Sequence, residues 1–164
     1  MIDNNENTPR PKAGLQPVPI TDSEMYQIEV EVIKASPNVL DTGTQEEFVE
    51  FLEKGGQALT YLQYDEHGSA IGYLALSLLN DSDAVETRSI AVRPNDQSGG
   101  HGASMMTEAE EIARSHGRNK MVLVTSPDNN GAVKFYERLG YKVTKTVDNY
   151  YGDGTSRLVL EKAI

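Results

Sequence analysis

The feature that most constrains this chain is a glycine-rich loop set between an apolar strand pattern and a helical pattern. The apolar residues 90–92 run into a proline, and the loop that follows holds Gly99, Gly100 and Gly102 before a helical pattern begins at Ala103. In such a loop, main-chain N–H groups turn toward a bound anion, and the start of the following helix adds partial positive charge. A phosphate or diphosphate is the anion most easily held this way, so the segment predicts a nucleotide-like ligand.

Length and charge limit the classes of protein that this chain can represent. Its 164 residues are enough for one domain, and the absence of cysteine excludes disulfides, thiolate metal sites and a cysteine nucleophile. The three histidines are too scattered to predict a metal site. The formal net charge of −10 disfavours nucleic acid as a partner. It suits a cationic partner such as an amine or a basic peptide, or it simply keeps the protein soluble.

The first residues differ in character from the rest. Residues 1–14 are rich in asparagine, proline and charge, so we predict a disordered tail there and a single domain over residues 15–164. The start has neither a basic stretch nor a long apolar run, and the longest nearly apolar run, residues 70–79, is far shorter than a membrane span. We therefore expect a cytoplasmic protein that does not enter membranes.

The periodicity of apolar residues predicts a mixed sheet with helices on both faces. Thr21 with Glu24, and Thr44 with Glu47, have the spacing of capping boxes, and an apolar helical face follows each pair. Strand patterns cover residues 15–20, 58–64, 70–79, 85–92, 121–125, 141–147 and 157–161, and further helical patterns cover 103–116 and 130–139. The predicted order is β-α-α-β-β-β-α-β-α-β-β, which is an α/β (α+β) fold. Its seven-stranded sheet is mixed and mostly antiparallel, with a parallel pair near Met121.

Two motifs in this order resemble those of the GNAT superfamily of acetyl-CoA-dependent N-acetyltransferases. The loop fits the family pattern V-x-x-x-x-[Q/R]-x-x-G-x-[G/A] at Val92, Gln97, Gly100 and Gly102. A second family pattern, N-x-x-A-x-x-x-Y-x-x-x-G-[F/Y], is matched at Asn129, Ala132, Tyr136, Gly140 and Tyr141. Residues 89–92 and 149–154 are similar to those of N-terminal protein acetyltransferases, including enzymes that act on ribosomal proteins.

The resemblance implies acetyl-CoA as the cosubstrate, with its pantetheine arm along residues 90–92 and its diphosphate on the amides of residues 97–103. The cofactor-binding residues implied are Ile90, Ala91, Val92, Gln97, Ser98, Gly99, Gly100, His101, Gly102, Ala103, Asn129 and Ala132. Tyr136 would donate a proton, or a hydrogen bond, to the departing sulfur. A phenol with a pKa of about 10 suits a thiolate whose conjugate acid has a pKa of about 8.5. The structural alternatives are a helix cap for Asn129 and a core aromatic for Tyr136.

A catalytic base is expected on one of two strands. Similar N-terminal acetyltransferases carry a glutamate on the fifth strand, where this chain has Val124. Glu86 lies six residues before Val92, which is the spacing of the catalytic glutamate in histone-type members of the superfamily, so Glu86 is the predicted base. The alternative is a solvent-facing carboxylate paired with Arg88, because strand alternation predicts that Glu86, Arg88 and Ile90 share one side.

The predicted acceptor is a primary amine, either a protein N-terminal α-amine or a small amine, attacked directly in a ternary complex. At pH 7 a lysine amine is neutral roughly once in 2500 molecules and an α-amine roughly once in seven, so a weak base favours the α-amine. Tyr150 and Tyr151 resemble the paired tyrosines that line the peptide groove in relatives, and the alternative is an ordinary β-turn. A homodimer is a further expectation, since dimers are common among similar proteins.

The loop also departs from the family pattern, which leaves a second function open. Family members commonly have basic residues inside the loop and an aliphatic residue before the last glycine. Here Ser98 and Gly99 are uncharged, and His101 takes the aliphatic position, where it could make cofactor binding depend on pH. Each missing cation costs about 1 kcal/mol of diphosphate binding. The altered loop and the missing fifth-strand glutamate support a non-catalytic acyl-CoA-binding module as the alternative.

Overall fold

The computed structural model describes residues 10–35, 54–78 and 81–164. Its strands are β1 Gly14–Pro17, β2 Gln57–Tyr64, β3 Ala70–Leu78, β4 Ala84–Val92, β5 Lys120–Thr125, β6 Lys142–Val147 and β7 Arg157–Ala163. Its helices are α1 Ser23–Ala35, α2 His101–Ser115 and α3 Asn130–Arg138, with a 3-10 turn over Pro94–Asp96. The predicted helix that begins near Thr44, and residues 1–9 of the predicted tail, lie outside the described residues.

The strands form one sheet in the order β1-β2-β3-β4-β5-β7-β6, and every neighbouring pair is antiparallel except β4 and β5. The predicted mixed, mostly antiparallel seven-stranded sheet is therefore confirmed. The parallel pair arises because α2 carries the chain back along the sheet between β4 and β5. Gly14, which was predicted to end the tail, pairs with Tyr64 and belongs to the sheet.

Helices cover both faces of this sheet, as predicted, and alternate residues of β3 point to each face. On the face covered by α2, the buried cluster includes Leu74, Leu76, Leu78, Met105, Met106 and Ala109. On the face covered by α1, the buried cluster includes Ile28, Val32, Leu62, Tyr73 and Ala91. Each fully buried aliphatic side chain contributes about 1.5–3 kcal/mol, so both layers are held mainly by apolar contacts. In the described part of the chain, no helix combines the length and the apolar character needed to cross a membrane.

Helix α1 begins with a different cap from the one that the capping-box spacing predicts. The Asp22 carboxylate accepts hydrogen bonds from the N–H groups of Glu24, at 2.8 Å, and Met25, at 3.4 Å. Asp22 rather than Thr21 is therefore the N-cap. Glu24 does not complete a capping box, because its Oε1 instead lies 2.8 Å from Nη2 of Arg93.

Strand β4 carries two irregularities that shape the functional site. Its register with β3 shifts by one residue at Arg88, which is the extra residue of a β-bulge. Its parallel pairing with β5 joins only residues 84–86 to residues 120–122. Beyond these rows β4 and β5 are not paired with each other.

Candidate functional site

A cleft of about 610 Å³ lies against residues 90–92 of β4, beyond the rows that pair with β5. Its walls are the end of β4, the glycine loop with the start of α2, helix α3, and Val32 of α1. The predicted residues that line it are Ile90, Ala91, Val92, Gln97, Ser98, Gly100, His101, Gly102, Ala103, Asn129, Ala132 and Tyr136. Four predicted site residues are not part of the lining, namely Gly99, Glu86, Tyr150 and Tyr151.

The glycine loop ends in main-chain amides that have no partner within the helix. Gly100 precedes α2 with a φ of +80°, and no side chain caps the helix. The N–H groups of His101, Gly102 and Ala103 therefore lack intrahelical acceptors. Ser98 has a φ of +69°, a conformation that costs a serine about 1 kcal/mol or more and that clusters at ligand sites. This arrangement suits a phosphate group.

Close contacts account for two residues of the loop motif. A Cβ atom added to Gly102 would lie 3.3 Å from Cζ of Phe135, so a larger side chain there would have to project into the cleft or displace that ring. The Nε2 atom of Gln97 donates a hydrogen bond to the carbonyl oxygen of Val92 at 3.0 Å. Gln97 thereby closes the loop onto the end of β4, and its side chain has a positioning role.

Positive charge around the loop is sparse. The sequence from 94 to 107 contains no lysine or arginine. Arg93, directly before the loop, is paired with α1, where it lies 2.8 Å from Glu24 and 3.1 Å from Glu31. Arg138 of α3 lines the cleft and forms no ion pair with any residue that the structure describes. Arg138 is therefore available to an anionic ligand, whereas Arg93 ties the loop to α1.

Tyr136 is buried at the wall of the cleft formed by α3, where it belongs to the same apolar cluster as α2. Its ring meets Phe135 and Tyr141 edge to face, with centroid distances of 5.1 and 5.8 Å. Burial raises the pKa of Tyr136 to about 12, so its phenol keeps its proton at neutral pH. Tyr136 is thus both a core aromatic and a hydroxyl within the cleft lining.

Asn129 combines the two roles considered for it. Its Oδ1 atom accepts a hydrogen bond from the N–H of Ala132 at 3.1 Å and caps α3. Because Asn129 also lines the cleft, its amide NH2 group remains as a donor for a bound molecule.

The bulge at Arg88 corrects one expectation for Glu86. Regular alternation placed Glu86, Arg88 and Ile90 on one side, but the extra residue puts Glu86 on the α1 face with Ser89 and Ala91. Ile90 instead packs on the α2 face. Glu86 lies in the part of β4 that is paired with β5.

The α1 face carries a polar group that no sequence motif indicates. The hydroxyl oxygens of Tyr73 and Ser89 lie 2.7 Å apart and share a hydrogen bond. Burial, and to a lesser extent the nearby carboxylate of Glu29, raise the pKa of Tyr73. Burial also raises the pKa of Glu29, which is half-buried on α1. In the sequence, Tyr73 is one more member of an apolar run and Glu29 one more charge on an amphipathic helix.

Tyr150 and Tyr151 lie in the turn between β6 and β7. Their rings meet edge to face at 4.8 Å, and the guanidinium group of Arg157 lies 5.1 Å from the centre of the Tyr151 ring. Asn149 has a φ of +52°, and its side chain accepts a hydrogen bond from the N–H of Gly154 at 2.6 Å. Contacts within the turn therefore stabilise it. That Tyr150 and Tyr151 bind the acceptor remains a prediction.

This chain belongs to the acetyltransferase (GNAT) family, whose model matches residues 25–141. The matched span runs from α1 to Tyr141 and contains both motifs and every residue that lines the cleft. The resemblance inferred from the sequence is confirmed.

Curated relatives match shorter stretches of the chain. An uncharacterized N-acetyltransferase of Methanocaldococcus jannaschii is 28% identical over 89 residues, which are 51% of this chain and 39% of the relative. N-alpha-acetyltransferase 30 of Schizosaccharomyces pombe is 39% identical over 54 residues, which are 32% of this chain and 36% of the relative. The match thus spans well under half the length of either relative. The crystal structure of a Bacillus subtilis acetyltransferase in complex with CoA has the same fold, with a TM-score of 0.71 at 18% identity, covering 93% of this chain and 99% of that one.

Proposed function

We propose that this protein transfers an acetyl group from acetyl-CoA to a primary amine, either a protein N-terminal α-amine or a small amine, by direct attack in a ternary complex. The observation that carries the proposal is one cleft that joins the uncapped start of α2, Asn129 and Tyr136. Membership of the family, and the CoA complex of a protein with this fold, support acetyl-CoA as the cosubstrate. The match to an N-alpha-acetyltransferase supports the α-amine as the acceptor.

The described residues can hold the cosubstrate mainly through their main chain. The amides of residues 97–103 receive the diphosphate, and Arg138 supplies positive charge that the loop itself lacks. The pantetheine arm lies along residues 90–92, where β4 has no strand partner on the side of β5. An unpaired strand edge offers N–H and C=O groups to the amides of an extended ligand.

Tyr136 is suited to stabilise the leaving sulfur by a hydrogen bond. A phenol with a pKa of about 12 is a weaker acid than a thiol with a pKa of about 8.5. Complete proton transfer to a thiolate would therefore be uphill by roughly 5 kcal/mol. Donation of a hydrogen bond to the charge that develops on sulfur avoids this cost, and the thiolate then takes its proton from solvent.

Glu86 remains the proposed base, acting through a water molecule because it lies outside the cleft lining. It shares the α1 face with Ser89 and Ala91, and Ala91 is part of the lining. The alternative function is a non-catalytic acyl-CoA-binding module, which Val124 on β5 and the loop without cations favour.

Two measurements test the proposal, namely acetyl-CoA binding by calorimetry and CoA release in the presence of an acceptor panel. The panel contains tetrapeptides that begin with Met, Ala or Ser, spermidine, and kanamycin. We expect release of CoA that requires an acceptor. Binding of acetyl-CoA with no release for any acceptor would support the module instead.

The substitution Gly102→Glu tests the position of the diphosphate. The new carboxylate would enter the cleft and repel the phosphates, so we expect a loss of acetyl-CoA affinity of about 100-fold or more. Thr107→Glu adds the same charge to an exposed position of α2 outside the cleft and should bind normally. Normal affinity of Gly102→Glu would place the diphosphate elsewhere.

A further inference from the structure

The glycine loop is anchored at its start by the side chain of Arg93. The Nη2 atom of Arg93 donates a hydrogen bond to Oε1 of Glu24 at 2.8 Å, and its Nε atom lies 3.1 Å from Oε2 of Glu31. The Arg93 side chain is 24% exposed, so water screens these contacts less than it screens a fully exposed ion pair. Glu24 and Glu31 lie on the same side of α1, two turns apart. One guanidinium group therefore joins two turns of α1 to the beginning of the loop.

The main chain of Arg93 is held on both sides. Its N–H donates a hydrogen bond to the carbonyl oxygen of Ile71 at 2.8 Å, and its carbonyl oxygen accepts one from the N–H of Asp96 at 2.9 Å. Arg93 thus extends the pairing of β3 with β4 and begins the 3-10 turn. Together with the hydrogen bond from Gln97 to Val92, these contacts fix the place where the loop leaves β4.

The middle of the loop has no such support. Among the described residues, the main chain of residues 97–99 forms no hydrogen bond. Ser98 and Gly100 have φ angles of +69° and +80°, and a serine adopts such a conformation only where its surroundings impose it. The alignment of the loop amides therefore depends on the two ends of the loop, at Arg93 and at α2. Amides that are aligned before a ligand arrives bind it more tightly, because less ordering is needed on binding.

We infer that Arg93 is a positioning residue for acetyl-CoA, which acts through Glu24 and Glu31 by holding the glycine loop in its anion-binding conformation. Arg93 is not part of the cleft lining, so its guanidinium group affects the ligand through the loop rather than by contact. The inference rests on the proposed position of the diphosphate on residues 97–103. It makes α1, which contributes Val32 to the cleft, part of the support for the cosubstrate.

The charges at this contact allow a test in which the alternatives predict opposite signs. Acetyl-CoA is an anion, so charge repulsion alone predicts that neutralising Glu24 and Glu31 strengthens its binding. Neutralisation would also release Arg93 to approach the phosphates directly, which again predicts stronger binding. The positioning role predicts weaker binding, because the guanidinium group loses both partners and the loop loses its attachment to α1.

Calorimetry with acetyl-CoA compares the wild-type protein with the double variant Glu24→Gln/Glu31→Gln. We expect the Kd to rise about 3- to 10-fold, which is the range that loss of two partly exposed ion pairs allows. The matched control is Glu29→Gln, because Glu29 is a described residue of the same helix that forms no ion pair with Arg93. Its Kd should be unchanged or lower.

Arg93→Met tests the other side of the contact and should weaken binding by a similar factor. The triple variant that combines it with both glutamine substitutions should bind no more weakly than Arg93→Met alone, because the three side chains act as one unit. Arg93→Lys keeps a cation that can pair with one glutamate, so it should recover part of the affinity. With an acceptor that releases CoA, the KM for acetyl-CoA should rise while kcat at saturation stays the same.

Tighter or unchanged binding in Glu24→Gln/Glu31→Gln would overturn the inference, and so would additive losses in the triple variant. Calorimetry needs no turnover, so it decides the inference for an enzyme and for a binding module alike. Normal affinity of Gly102→Glu would instead refute the proposed position of the diphosphate, which separates the two failures. Thermal unfolding without ligand checks that each variant is folded at the assay temperature. If Arg93→Met does not fold, the sign of the change in the glutamine variant decides the question alone.

Discussion

Tyr136 shows at the scale of one residue how its surroundings select a role. The second sequence motif indicates this tyrosine, and an unperturbed phenol would suit either a proton donor or a hydrogen-bond donor. Its burial in the cluster with α2 raises its pKa to about 12 and favours the hydrogen bond. The motif therefore indicates the residue, and the packing around it favours the hydrogen-bonding role that we propose over proton transfer.

Substitution of Tyr136 by phenylalanine should lower turnover while leaving the affinity for acetyl-CoA unchanged. Loss of one hydrogen bond to developing charge typically costs about 10- to 1000-fold in kcat. Steady-state kinetics and calorimetry would measure the two quantities. Tyr26→Phe is the control, because Tyr26 is 68% exposed on α1. A kcat equal to that of the wild type would remove Tyr136 from the mechanism.

A second prediction at the residue scale distinguishes Asp22 from Thr21 as the N-cap of α1. Asp22→Ala should lower the free energy of unfolding by about 1 kcal/mol, because the N–H groups of Glu24 and Met25 lose their acceptor. Thr21→Ala should change it little. Urea unfolding would measure both, and the opposite order would restore the capping box that the sequence predicts.

The sequence predicted site residues that lie within one contiguous motif. It did not predict contacts between residues that strand pairing brings together from distant parts of the chain. The loop residues and Asn129 lie in two short motifs whose resemblance to one family predicted a shared site, and all of them except Gly99 line one cleft. The hydrogen-bonded hydroxyls of Tyr73 and Ser89 meet only through the pairing of β3 with β4. Their spacing in the chain contains no signal of this contact.

At the scale of elements, the apolar periodicity of the chain predicted the described helices and strands in their correct order. The boundaries differ from the predicted ones by a few residues. Helix α2 begins at His101 rather than at Ala103, because either Gly100 or Gly102 could precede a helix and the sequence does not distinguish them. The bulge at Arg88 was not predicted, since no glycine or other local signature accompanies it. Because of the bulge, Glu86 and Ile90 lie on opposite faces of the sheet rather than on the same face as predicted.

The junction between α2 and β7 contains an ion pair between the buried Glu110 and the partly exposed Lys162. Glu110 is 7% exposed, and its Oε1 lies 2.7 Å from Nζ of Lys162 and 3.5 Å from the hydroxyl of Tyr141. Lys162→Met should lower the free energy of unfolding by about 1–2 kcal/mol, because it removes the nearer of the two cations beside the buried carboxylate and leaves only Arg114, at 3.8 Å. Chemical denaturation would measure the change.

A double-substitution cycle gives the control for this junction. Combining Glu110→Leu with Lys162→Met replaces the pair by apolar groups and should recover most of the lost stability. Strict additivity of the two single changes would contradict a direct energetic link between α2 and β7.

At the scale of the whole molecule, the negative charge predicts how the rate depends on salt. With a cationic acceptor, kcat/KM should fall several-fold as ionic strength rises from about 0.05 to about 0.5 M, because screening weakens the attraction between the protein and the amine. The value of kcat at saturating acceptor should change little. A neutral osmolyte of equal osmolarity is the control, and salt-independent kcat/KM would show that long-range attraction plays no part.

The short pairing of β4 with β5 has a thermodynamic consequence. Because only residues 84–86 pair with residues 120–122, three rows join the two halves of the sheet, and the later residues of β4 and β5 do not pair with each other. A ligand that binds at the unpaired end of β4 binds the native protein but not the unfolded chain, so the melting temperature must rise as the fraction of protein with bound ligand rises. The melting temperature, measured at increasing ligand concentration, therefore reports the affinity of the ligand that binds there.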